Sequence, residues 1–166
     1  MIVMSIENIE ILSMNPHFQG FLMKLFLSGY NKPCELRLAF MALPILMYSE
    51  SRKKLIRAKS TSKMETLFNK QEEIENSVKI SAKVSLSGYL ERYKQMLPLS
   101  KKALIILYSK KQIVVDDGNI ILLEQKKYAE YDGIIRDWAK AAYSLGSVFS
   151  KTNEDHLNYF LGVDRL

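Results

Sequence analysis

The most restrictive part of this sequence is a run of apolar side chains that follows Pro33. A helix formed here would have almost no polar face, so other elements would have to cover it on every side. We therefore predict an apolar helix through the middle of the core, opened by Pro33 and bent at Pro44. Its unbroken apolar stretch, 38–47, is ten residues long, about half of a membrane span, so no membrane partner is expected. The apolar positions are Leu36, Leu38, Phe40, Met41, Leu43, Ile45, Leu46 and Met47.

Apolar residues at helical spacing predict further helices around this one. Asn15 and Pro16 are typical of a helix start, because asparagine caps a first turn and proline presets its backbone. They precede a predicted helix over 17–28, which Gly29 can close. Two more helices are predicted on either side of Pro98, the first beginning near Ile80. The second of these covers 99–110. The remaining predictions are a short helix and polar loop over 49–62, an amphipathic piece marked by Met64, Leu67, Phe68 and Ile74, a helical pattern from Tyr128 with its apolar side over 134–149, and a last helix over 157–161 ended by Gly162.

The clearest local signal is a β-hairpin. Two β-rich runs, 112–116 and 119–123, flank Asp117 and Gly118, a pair that tolerates positive φ in a tight turn. A helix leading directly into a hairpin is the order of the second half of a winged-helix domain. The predicted fold class is therefore mainly α with one β-hairpin, a helical core that contains a winged-helix-like unit.

Length and composition favour one domain. The chain has 166 residues and is 48% hydrophobic, which is enough to build a core without a disulfide or a metal. We predict a single domain over 1–166, with an N-terminal helical part over about 15–60, a winged-helix-like part over about 63–125 and C-terminal helices over about 128–162.

The net charge of +6 is concentrated in the middle of the chain. Residues 51–127 carry 17 basic and 8 acidic residues, whereas the segments on either side are mildly acidic. Helix 99–110 offers lysines and serines rather than the Arg, Asn or Gln that read base edges, so any DNA contact should be with the backbone and without sequence specificity. The candidate contacts to nucleic acid or to an acidic partner are Lys101, Lys102, Lys110, Lys111, Lys126 and Lys127.

No catalytic or metal-binding constellation stands out in the sequence. Cys34, the single cysteine, and two distant histidines, His17 and His156, do not supply the ligands of a metal site. The phosphate-binding GxxxxGK motif followed by Ser or Thr is missing. These absences lead us to expect no cofactor and no enzymatic activity. The acidic residues Glu7 and Glu10 stand where a signal peptide would be apolar, so we expect a cytoplasmic protein.

The order of several short motifs resembles a known family. An Asn15-Pro16 helix start is followed by Gly29-Tyr30, then by Leu43-Pro44 with Arg52 shortly after, and the chain closes with Leu145-Gly146 and Leu161-Gly162-Val163. This succession, from about residue 8 to 164, resembles the middle components of bacterial three-component ABC systems. The resemblance implies a non-enzymatic adaptor subunit that bridges an ABC-type ATPase, similar to chromosome-structure and DNA-repair ATPases, and a variable effector subunit in defence against phage.

Two other functions remain open at the level of sequence. A free-standing winged-helix DNA-binding regulator would have the same helix and hairpin. An enzyme with Cys34 as nucleophile would need His17 to reach the thiol. The aromatic and apolar residues of the N-terminal part also allow two interpretations, since they either fill the core or partly face a partner: Phe18, Phe21, Phe26, Tyr30, Phe40 and Met47.

Overall fold

The computed structural model describes residues 13–68, 71–74, 78–81, 86 and 88–161. The predicted mainly α fold class is confirmed, because helices make up most of this part of the chain. The helices are α1 (Pro16–Tyr30), α2 (Leu36–Leu46), α3 (Ser49–Ile56), α4 (Met64–Phe68), α5 (Tyr89–Ser109), α6 (Gly133–Ser150) and α7 (Glu154–Leu161), with a 3-10 turn at Tyr128–Glu130. The strands are β1 (Cys34–Glu35), β2 (Gln71–Ile74), β3 (Val78–Ser81), β4 (Ile113–Asp116) and β5 (Asn119–Leu122).

The apolar helix α2 lies in the core, as its sequence predicted. Nearly all of its side chains from Leu38 onward are buried. The helix begins at Leu36 rather than at Pro33, because Cys34 and Glu35 form a strand first. It continues through Pro44 to Leu46, and two arginines bind carbonyl groups that the end of a helix leaves unpaired. Arg52 Nη1 donates to the Leu46 oxygen at 2.8 Å, and Arg92 Nε donates to the Pro44 oxygen at 3.1 Å.

Helix α1 starts as predicted and ends differently. The Asn15 side chain accepts a hydrogen bond from the His17 N–H at 2.8 Å, and Pro16 occupies the first turn. The predicted C-cap at Gly29 is wrong, since the left-handed cap residue is Asn31, with φ of 57°. Gly29 lies inside the helix, where it has another role.

Gly29 and Gly146 allow α1 and α6 to approach each other at backbone distance. A Cβ atom on Gly29 would overlap the carbonyl oxygen of Tyr143 in α6. A Cβ atom on Gly146 would overlap the carbonyl oxygen of Phe26 in α1 and lie 2.7 Å from the backbone nitrogen of Tyr30. The two glycines therefore face each other's helices and set the depth of this crossing.

Helix α5 is continuous through Pro98, so the prediction of two helices is wrong here. Pro98 is exposed and removes only one backbone hydrogen bond. The start near Ile80 is also wrong, because Ile80 lies in β3 and the helix begins at Tyr89. One buried stripe runs along the whole length of α5: Tyr89, Tyr93, Met96, Ser100, Ala103, Leu104 and Leu107.

The predicted hairpin is confirmed as β4 and β5, which pair in antiparallel register around Asp117 and Gly118. Both turn residues have positive φ, 48° and 76°. Strand β1 adds to the other side of β5, giving the sheet order β1-β5-β4. A separate antiparallel pair, β2 and β3, was not predicted. The hairpin therefore shares a sheet with Cys34 and Glu35 of the N-terminal part. The division of the single domain into three parts stays a prediction.

Candidate functional site

One exposed face of α5 combines positive charge with large apolar side chains. Ile105 and Tyr108 are 66% and 60% exposed, well above the other apolar residues of this helix. Lys101 and Lys102 precede them, and the spacing of three and four residues places these side chains on one face. We call these four residues the α5 face. They form a surface that can contact an apolar patch bordered by acidic groups.

The hairpin extends this surface. Lys110 and Lys111 connect α5 to β4, where Val114 and Val115 are 39% and 44% exposed. Among the described strands, β4 is at the edge of its sheet. An edge strand presents backbone N–H and C=O groups that can pair with an added strand.

The six lysines singled out in the sequence are in two different environments. Five of them are exposed and form no ion pair within the described residues: Lys101, Lys102, Lys110, Lys111 and Lys127. Lys126 differs, because its side chain is 32% exposed and its Nζ lies 3.5 Å from Glu124 and 3.8 Å from Glu130. The carboxylates of Glu124 and then Glu130 raise the pKa of Lys126. Its charge is therefore partly neutralised locally.

A pocket of about 220 Å³ lies between α1, α5 and the segment after the hairpin. It brings together Lys110 and Lys126, which the sequence separates by a hairpin, with a third lysine that sequence reasoning missed, Lys24 of α1. We call it the lysine pocket. Its polar lining residues are His17, Lys24, Lys110, Gln112, Lys126 and Tyr131.

Lys24 is the unusual member of this group. Its side chain is only 9% exposed, although lysine is almost never fully buried unless it is paired. Its Nζ lies 3.7 Å from Glu124 Oε2 and makes no hydrogen bond within the described residues. The one signal in the sequence was a lone charge between Met23 and Leu25 in an otherwise apolar helix.

Cys34 is buried in the core, with no exposed surface. Burial, with a smaller contribution from the charge of Glu35, raises the pKa of its thiol to about 12. The thiol is thus protonated and covered at neutral pH. Of the histidines, His17 lies in the lysine pocket and His156 contacts Glu65 at 3.1 Å. Within the described ranges, His, Cys, Asp and Glu side chains form no group of three or more suited to a metal ion.

The residues of the family motifs have structural roles. The start of α1 is formed by Asn15 and Pro16, and its crossing with α6 depends on Gly29 and Gly146. The other described motif residues lie in or against the core. Tyr30, Leu43, Pro44, Leu145 and Leu161 are buried, whereas Gly162 and Val163 lie outside the described residues. Arg52 stacks on the Trp138 ring at 3.8 Å. The apolar residues of the N-terminal part belong mainly to the core. Phe18, Phe26 and Tyr30 are buried, and Phe21, Phe40 and Met47 are half-buried and pack against it.

No described helix is both long and apolar enough to cross a bilayer.

Comparison with known proteins identifies the family of this chain. No match was found among curated proteins or among solved structures. One family model does match, that of the ABC-three component (ABC-3C) system Middle Component 3, over residues 3–165. This range contains all the motifs described above, so the chain belongs to the Middle Component 3 family of ABC-three component systems.

Proposed function

We propose that this middle component is a non-enzymatic adaptor that bridges the ABC-type ATPase and the effector subunit of its system, and that the α5 face is its docking surface for the ATPase. Membership of a multi-component family supports the existence of partner subunits. A role in defence against phage is part of the same proposal. The buried, protonated Cys34 agrees with a function that does not use this thiol.

The observation that carries the proposal is the exposure of Ile105 and Tyr108 on a rigid helix. Side chains of this size usually contribute to the core, and α5 already has a complete buried stripe on its opposite side. Aromatic and apolar residues surrounded by polar ones are typical of protein interfaces. Lys101 and Lys102 at one end of the patch favour a partner surface that carries acidic residues.

A winged-helix-like unit is the fold that we propose for this surface. The order of α1, β1, α2, α5 and the β4–β5 hairpin supports it, with α3, α4, β2 and β3 inserted before α5. The proposed unit thus begins in the N-terminal part, rather than near residue 63 as the sequence predicted. The pairing of β1 with β5 supports it further. In this arrangement α5 would be the helix that enters DNA in a DNA-binding member. Ile105 and Tyr108 occupy its exposed face, and neither makes the bidentate contacts that read bases.

A non-specific contact with DNA phosphates is a second part of the proposal. It rests on the exposed lysines that form no ion pair in the described part of the chain: Lys101, Lys102, Lys110, Lys111 and Lys127. Such binding should weaken steeply as salt is added, because each phosphate contact releases counterions. Fluorescence anisotropy with two unrelated duplexes at several salt concentrations tests this. Salt-insensitive binding to one sequence would favour the free-standing regulator instead.

The adaptor proposal is tested by co-expressing the tagged chain with its ATPase and with its effector, separately and together. Ile105→Glu should reduce recovery of the ATPase at least tenfold, because a buried interface does not accept an unpaired charge. The matched control is Ile134→Glu, since Ile134 is 47% exposed on a different helix, α6. The same two variants should differ in protection of cells against phage. Equal recovery of the ATPase with both variants would contradict the proposal.

A further inference from the structure

We propose that the lysine pocket binds a phosphate group, with Lys24, Lys110 and Lys126 as its ligands. The three side chains come from α1, from the end of α5 and from the segment after β5, and they line one concavity of about 220 Å³. This volume accommodates a phosphate and the first atoms attached to it. The inference is independent of the adaptor proposal, because it concerns a different surface from the α5 face.

The burial of Lys24 is the first step. An ammonium group has three N–H donors, and taking it out of water without partners is costly. Among the described residues, Glu124 is the one ion-pair partner of Lys24, at 3.7 Å, a distance too long for a good hydrogen bond. The Lys24 Nζ is not fully covered by protein atoms, so it faces the lysine pocket, where an anionic acceptor can bind it.

The second step is the position of Glu124. Its two carboxylate oxygens lie 3.7 Å from Lys24 Nζ and 3.5 Å from Lys126 Nζ, so one carboxylate bridges the two ammonium groups loosely. The side chain of Glu124 is 66% exposed, so it can move away into solvent. A carboxylate thus already lies between two of the pocket's lysines, and a phosphate in the lysine pocket can take over these contacts.

Phosphate fits this set of donors better than a second carboxylate would. A phosphate dianion carries more charge than a carboxylate and has oxygens in a tetrahedral arrangement, so it can accept from donors on three sides. Lys24, Lys110 and Lys126 provide such donors, and Gln112 adds an uncharged amide. Lysine is a common ligand for phosphate because it acts as a compact point charge.

The phosphate is better supplied by a small molecule than by a nucleic acid backbone. Glu124 and Glu130 lie beside Lys126 with side chains 66% and 49% exposed. Their charges repel a polyanion that would have to run past them, whereas a phosphomonoester can enter the concavity end-on. Phe21 and Leu25 provide an apolar wall for the remainder of such a ligand.

Thermal unfolding of the full chain tests the proposal with inorganic phosphate as the probe, against chloride and acetate at equal ionic strength and pH 7. Phosphate should raise Tm with the logarithm of its concentration above Kd, by about 3–6 °C at ten times Kd for a chain of this length. Lys24→Met, which keeps the shape of the side chain, and Lys110→Gln should each abolish the rise. Lys94→Gln on the same helix, exposed and outside the lysine pocket, should retain it.

Three results would overturn the proposal: no difference between phosphate and chloride, an equal effect of acetate, or a full response in both Lys24→Met and Lys110→Gln. If Lys24→Met does not fold, the exposed Lys110→Gln decides. A second arm distinguishes the source of the phosphate by comparing adenosine monophosphate with a short DNA duplex. A Tm response to the nucleotide, with no duplex binding that depends on Lys24, supports a small molecule. Duplex binding that depends on Lys24, with no response to the nucleotide, assigns the lysine pocket to nucleic acid and overturns the small-molecule source.

Discussion

Replacing Gly146 with alanine should lower the free energy of unfolding by about 2 kcal/mol or more. The new Cβ would overlap the carbonyl oxygen of Phe26 and lie 2.7 Å from the backbone nitrogen of Tyr30. Overpacking a core by one methyl group costs about 1–3 kcal/mol where side chains can adjust. Here the opposing atoms belong to the backbone of α1 and cannot rotate away, so the cost should be at or above about 3 kcal/mol. The higher helix propensity of alanine returns about 1 kcal/mol.

Urea unfolding followed by circular dichroism measures this loss, as a lower midpoint with an unchanged m-value. A loss of about 2 kcal/mol corresponds to a fall in Tm of about 4–8 °C for a domain of this size. The matched control is Gly20→Ala in α1. Its Cβ would meet its nearest neighbour, the Ala103 oxygen, at an ordinary 3.6 Å. This variant should therefore be neutral or stabilised by up to about 1 kcal/mol.

The difference between the two variants isolates the helix crossing, because both replace a glycine inside a helix and gain the same propensity. Gly29→Ala, on the other side of the crossing, should resemble Gly146→Ala. If Gly146→Ala and Gly20→Ala unfold at the same urea concentration, backbone contact between α1 and α6 is not the reason for glycine at this position.

Three further predictions concern the core, the hairpin and the response to alkaline pH. Arg52→Met should lose about 1–3 kcal/mol in urea unfolding, because it removes the stacking on Trp138 and leaves the Leu46 carbonyl without its donor; no loss would refute this. Gly118→Ala should cost about 1 kcal/mol in the same assay, because φ is 76° there, and the cost should be absent in Gly118→Asn if only the backbone conformation matters. The buried Cys34 thiol, with a pKa near 12 against 9.0 for an ordinary thiol, contributes stability that is complete below pH 9 and is lost as pH rises toward 12. The urea midpoint of the wild-type chain should fall faster than that of Cys34→Ala between about pH 9 and 11, and parallel curves would contradict this.

Local signals predicted those parts of the fold that depend on neighbours in sequence. The cap of α1 needs only Asn15 and the N–H of His17, and the tight turn needs only Asp117 and Gly118. Both were found where the sequence placed them. The apolar helix α2 was recognised because a helix with no polar face can only be central.

Pairings across long distances in the chain were not predictable in the same way. Strand β1 is two residues long and exists because Cys34 and Glu35 meet β5, more than eighty positions later. Pro98 predicts a helix boundary, yet the buried stripe on the other side of α5 is continuous and keeps the helix intact. In both cases tertiary packing decides against a local rule.

The difference between local and long-range contacts also explains why the sequence predicts the α5 face but not the lysine pocket. The lysines of the α5 face lie on one helix, so their common surface follows from helical spacing alone. The lysine pocket needs α1 beside α5, and Lys24 belongs to the N-terminal segment, whose overall charge is slightly acidic. The distribution of charge along the sequence therefore assigns Lys24 to the acidic N-terminal segment and not to the basic middle of the chain. The packing of α1 against α5, rather than position in the chain, determines which charges share a surface.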